Sequence, residues 1–169
     1  MTIEAKTDAA TKLRELFIDQ LKDIYWVEKE LTQAIPKMKE NATSNQLKEA
    51  LSEHLSETEH QVERLDKVFS SIGSESEAVK CVAMVGLEKE GEELMQETEP
   101  GAIRDAAIIA AAQKIEHYEI ATYGTLCAFA KSLNENESYD LMTESLDEEK
   151  AADKKLTKLA SDINEEAMK

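Results

Sequence analysis

Glycine and proline are scarce in this chain, with five glycines and two prolines among 169 residues. Too few turn formers remain for a many-stranded β architecture, so a mostly helical single domain spanning 1–169 is expected, with a sizeable core. There are only two cysteines, Cys81 and Cys127, far apart and without metal-type spacing, which excludes a thiolate zinc site and leaves buried reduced thiols. No apolar run approaches membrane-spanning length, and Met1 to Asp8 carries Glu4, Lys6 and Asp8 where a secretory leader would be apolar. A soluble, cytoplasmic protein follows as the expectation. Basic charge is also short: 20 Lys+Arg face 36 Asp+Glu, a net charge of −16 with no local basic patch. Phosphate backbones and anionic membrane surfaces are repelled, so neither nucleic acid nor membrane is expected as a partner. Serine-nucleophile, phosphate-loop and zinc-finger signatures are absent.

Apolar residues at helical spacing are plentiful. They predict helices over about 11–41, 45–72, 102–133 and 138–165, with a shorter amphipathic stretch over about 78–97. The first stripe is Leu13, Phe17, Leu21, Ile24, Leu31, Ile35 and Met38; the second is Leu47, Leu51, Leu55, Val62, Leu65, Phe69 and Ile72. Ser44 is a good N-cap for the second helix, and Gly73-Ser74 ends it. Short links join helices one and two and the last two helices, so each pair is antiparallel. Residues 74–99 are too many for a hairpin and cross from one end to the other. One long crossover between the second and third long helices gives an all-α, ferritin-like four-helix bundle. Residues 1–8 and 165–169 read as frayed ends.

Glutamates fall near the midpoint of each long helix: Glu28, Glu57, Glu119 and Glu149. A midpoint stays at mid-height whichever way its helix runs, so packing the four brings these carboxylates to one level. Turning about 100° per residue places Glu28, Glu119 and Glu149 within about 40° of their stripe centres. Glu116 flanks Glu119 at i−3 and Asp153 flanks Glu149 at i+4, each making a chelating pair. On helix two, Glu57-Thr58-Glu59-His60 spells the Glu-x-x-His pattern of di-iron bundles. His60 nevertheless points about 180° from Leu51, whereas His54 lies about 60° from that axis on the flank of Glu57, so His54 with Glu57 is the better pair.

No Lys or Arg is expected on the inner face, since Lys29, Lys114 and Lys150 point sideways. Uncompensated carboxylates there would cost many kcal/mol or share protons, and metal cations answer the problem. Glu28, His54, Glu57, Glu116, Glu119, Glu149 and Asp153 form a hard, oxygen-rich ligand set, which favours two divalent ions of iron or manganese over zinc or copper(I). The chemistry of such a pair is redox, oxygen handling or hydrolysis. No residue is singled out as catalytic. Tyr25, Tyr118 and Tyr123 flank the presumed centre, with core packing their commoner role. Trp26 faces away from its stripe beside Ile18 and Tyr25, which suggests either a homodimer seam or cover by the crossover segment. His117 is placed away from Glu119, and Gly124 with the run Ala106 to Ala112 marks close helix approach.

Several stretches resemble the YciF-like bacterial stress-response proteins of the ferritin-like superfamily. They are Arg104-Asp105-Ala106-Ala107, Ala111 through Ala121 with Tyr123-Gly124-Thr125-Leu126, Lys80-Cys81-Val82-Ala83-Met84, His54-Leu55 with Glu57-Thr58 and Glu63-Arg64, and Glu148-Glu149-Lys150-Ala151 with Asp153 and Leu156. The resemblance spans nearly the whole chain and implies a bundle similar to rubrerythrin, with Glu116 and Glu119 as the Glu-x-x-Glu of the third long helix and a histidine at the position of His54. The last helix departs from rubrerythrin-type sites, because Glu149 is followed three residues later by Ala152. Three functions are expected to compete: a di-metal stress protein handling peroxide or oxygen, a non-catalytic interaction module with an empty centre, and ferritin-type storage.

Overall fold

The computed structural model describes residues 3–7 and 9–169, so part of the expected frayed N-terminus (Met1, Thr2 and Asp8) lies outside the described residues. Five helices follow in order: α1 Leu13–Asn41, α2 Asn45–Ser71, α3 Val82–Gln96, α4 Ala102–Leu133 and α5 Asn136–Ala167. Ser44 caps α2 by accepting from the Leu47 amide. The buried carboxylate of Asp105, in the first turn of α4, accepts from the amides of Thr43 at 2.6 Å and Ser44 at 2.8 Å. It therefore pins the α1–α2 turn to the start of α4 and fixes α4 antiparallel to α1. Asn134 adopts the left-handed conformation, φ 60°, that lets α4 stop and α5 turn back within three residues.

The crossover differs from expectation. Residues 74–81 form no regular secondary structure, and helix α3 begins only at Val82, because Cys81 caps it while the preceding strap pairs with α1 through Val79 N–H to the Lys22 carbonyl (3.1 Å) and a Lys22–Glu77 ion pair. This strap and α3 carry the chain from the far end of α2 back to the start of α4. A four-helix bundle with one long crossover is the ferritin-like arrangement. The C-terminal end is also firmer than expected, since α5 stays helical to Ala167. Close approach occurs at Gly91 of α3, where an added Cβ would sit 3.4 Å from Ala111 Cβ, whereas Gly124 has open space beside it.

Each long helix buries a seam at three- and four-residue steps. In α1 it is Phe17, Leu21, Ile24, Glu28, Leu31, Ile35 and Met38; in α2 it is Leu47, Leu51, His54, Thr58, Gln61, Leu65 and Val68. The ends of the bundle are apolar and its waist is polar.

Candidate metal centre

At the waist, Glu28, Glu116, Glu119 and Glu149 are buried from water, as are His54, Thr58, Gln61 and Tyr123. His54, Glu116, Glu119 and Glu149 offer ligand-type atoms that all lie within 4.8 Å of one another. His54 Nε2 is 3.2 Å from Glu116 Oε1. Glu28 stands beside this group and accepts from the Tyr123 hydroxyl at 2.5 Å. Gln61 donates from Nε2 to Glu149 and, at 3.0 Å, to Glu148.

Electrostatics at the waist are one-sided. Burial first, and then the charge of Glu149, hold the carboxyl of Glu28 well above the usual carboxylate range, and the same two causes act in the same order on Glu119. Glu116 is raised by burial, then by its hydrogen bond to Glu149 and that group's charge. Burial and the charge of Glu28 raise the Tyr123 phenol, which keeps it a donor. The expectation of no inward cation needs correcting, because Arg64 is buried one turn from Gln61. Its charge is already spent: the guanidinium takes Glu148 with two bonds of 2.9 Å, Glu144 at 2.9 Å and Ser145 Oγ at 2.8 Å.

Of the residues expected at the centre, five come together: Glu28, His54, Glu116, Glu119 and Glu149. Two do not. Glu57 lies at the rim, its side chain 41% exposed and its Oε2 3.7 Å from His54 Nδ1. Asp153 does not join Glu149 as a chelating partner; it turns sideways to Gln113 Nε2 at 3.0 Å and His117 Nε2 at 3.2 Å. His60 is exposed, as the rotational reading placed it. Among the tyrosines only Tyr123 reaches the centre, for Tyr118 donates its hydroxyl to Asp23 and lies within hydrogen-bond distance of Cys81 Sγ, and Tyr25 packs edge-on against Phe69. Trp26 is half-buried against the core.

Gln61, Thr58 and Arg64 were missed for one physical reason. Reading α2 from its leucines and valines put Leu55 and Val62 on the axis, but both are only half-buried. The unbroken seam Leu47-Leu51-His54-Thr58-Gln61-Leu65-Val68 was present in the spacing and is polar at its middle.

Buried atoms without a hydrogen-bond partner concentrate at this level: Glu28 Oε2, His54 Nδ1, Gln61 Oε1, Glu116 Oε2, both Glu119 oxygens and Glu149 Oε2. Buried polar groups are ordinarily paired. Oxygen donors with one imidazole suit a hard or borderline divalent ion, so the residues present fit a metal. A helical bundle with a carboxylate-rich waist is the class that fold and site define.

The chain belongs to the family described as Domain of unknown function (DUF892), whose model matches residues 12–169. It is 45% identical over 157 residues to Protein YciF of Escherichia coli (strain K12), covering 92% of this chain and 95% of that protein. The crystal structure of that E. coli stress protein superposes with a TM-score of 0.89 at 44% identity, covering 92% and 99% of the two chains. YcfI of Rhodopseudomonas palustris, for which a structural role has been suggested, superposes with a TM-score of 0.88 at 43% identity over 90% of this chain and 98% of that one. Among the described residues no helix is long and apolar enough to cross a membrane.

Proposed function

We propose that this chain is a stress-response protein that binds two divalent ions, iron or manganese, at Glu28, His54, Glu116, Glu119 and Glu149, and handles peroxide or oxygen there. The observation that carries the reading is the set of unpartnered buried carboxylate oxygens at one level of the bundle. Charge balance supports two ions: four buried glutamates match two divalent cations, while Arg64 is matched by Glu148. Such a pair, when bound, supplies redox or Lewis-acid chemistry. The protein's own contribution is to exclude water, orient the carboxylates and hold a proton on Tyr123 next to Glu28. Relationship to a named stress protein supports the physiological setting.

Metal analysis of protein purified without chelator tests the proposal. About two equivalents of iron or manganese in the wild type and near none in Glu119→Ala are expected on the charge argument; a wild type with less than about half an equivalent rejects it. A metal-free helical module is the competing reading, and the raised carboxyls of Glu28, Glu116 and Glu119 favour it, since protonated acids also tolerate burial. The same measurement separates the two. Self-association through the Trp26 face is retained within the proposal, and sedimentation at micromolar concentration, giving dimer, monomer or shell, decides among homodimer, lone bundle and storage cage.

A further inference from the structure

On α5 the inward seam runs Ser138, Met142, Ser145, Glu149, Ala152, Leu156, at steps of four and three. All of these are buried except Ala152, which is partly open. Position 152 lies one turn from Glu149 and faces the waist, where a long side chain would fill space and a methyl does not.

A cavity of about 80 Å³ occupies that space between α2 and α5. Three alanines wall it, Ala50 on α2 and Ala151 and Ala152 on α5, while His54 and Glu116, two members of the buried cluster, line its inner side. His54 Nδ1 and Glu116 Oε2 are both buried and unpartnered. Glu53 and Lys155 line the outer side, are exposed, and form an ion pair across the two helices. An exposed pair of this kind contributes little, because solvent screens it, so it holds the mouth only loosely.

We infer that this cavity is a binding subsite for a small neutral molecule that bears a lone pair at one end and an N–H or O–H at the other. The volume admits only a few heavy atoms. The lone pair faces the ligand cluster at the position where Ala152 supplies no donor, and the N–H or O–H turns outward to the carboxylates of Glu53 and Glu57. Anions are turned away by the acids at the approach, Glu53 and Glu57, and by the net charge of −16, and cations by the divalent ions of the metal reading, which leaves a neutral molecule. The subsite rests on the metal reading above and adds to it a place for an outside ligand.

Imidazole is the probe, and cobalt(II)-loaded full-length protein reports its arrival through the visible absorption of the ion. Imidazole is expected to shift the wild-type bands saturably. In Ala152→Leu the cobalt stoichiometry and helical circular dichroism should be unchanged while the affinity for imidazole falls roughly tenfold or more, since the added side chain fills the cavity. Ala50→Leu narrows the cavity from the opposite wall and carries the same expectation, so the test stands if one variant does not fold. Bound cobalt whose bands ignore imidazole, or leucine variants that respond like the wild type, overturn the subsite alone. A wild type that takes up no cobalt overturns the metal reading and the subsite together.

Discussion

Leu65 and Gln61 sit one turn apart on the same seam of α2 and are equally buried, yet they do opposite things for the bundle. Leu65 belongs to an apolar end, with Phe17, Leu21, Phe69, Leu126 and Met142, where burial removes hydrocarbon from water and stabilises at about 25 cal/mol per Å². Gln61 belongs to the waist, where burial strips water from carboxylates and returns too few hydrogen bonds. The ends therefore hold the helices together, and the waist is tolerated because the ends hold it. Strain between the two regions is what a bound cation would relieve.

Substitution should split the regions by sign. Leu126→Ala at an end leaves a cavity and should cost about 2–5 kcal/mol, read as a lowered urea midpoint. Glu119→Leu at the waist removes an orphaned carboxylate with apolar filling and should leave the metal-free protein as stable or more stable by about 1–4 kcal/mol, while abolishing metal uptake. Equal losses from both would erase the distinction.

Acidity sharpens the contrast next. Glu28, Glu116 and Glu119 hold protons more tightly folded than unfolded, where a glutamate titrates near about 4.3. Between those values the folded chain carries more protons, so stability is greatest below the unfolded value and falls as pH rises through the folded ones. Metal-free protein should melt several degrees higher at about pH 5 than at about pH 8, and saturating metal should flatten or invert that slope. A rising melting temperature with pH in the metal-free state would contradict the protonated waist.

Arg64 gives a smaller effect. Arg64→Met strands Glu148 and Ser145 and should cost about 1–3 kcal/mol, with the number of bound ions unchanged. The smallest change is expected at Asp153, whose carboxylate serves only Gln113 and His117 among the side chains near it. Asp153→Asn should stay within about 0.5 kcal/mol and keep full metal stoichiometry. Loss of an ion in that variant would return Asp153 to the centre.

Much of this was readable beforehand where one seam dominated its helix. On α1, Glu28 sits between Ile24 and Leu31 in an unbroken apolar row, and the midpoint argument placed it correctly. On α2 the apolar residues straddle the true seam, so Leu55 and Val62 drew the axis sideways, promoted Glu57 and hid Thr58, Gln61 and Arg64. Asp153 failed differently. Its backbone position flanks Glu149, but Gln113 and His117 on α4 capture its side chain, and no spacing within α5 reports on a neighbouring helix.

Local physics written into the chain fixed the helices, their links and the mid-height of the acids, because hydrophobic period and capping act over a few residues. Which carboxylates converge, how Glu148 takes up the charge of Arg64 and where Ala152 leaves a gap were decided only when the helices packed. Those outcomes depend on the rotation of each helix against its neighbours, a quantity set by side chains far apart in sequence.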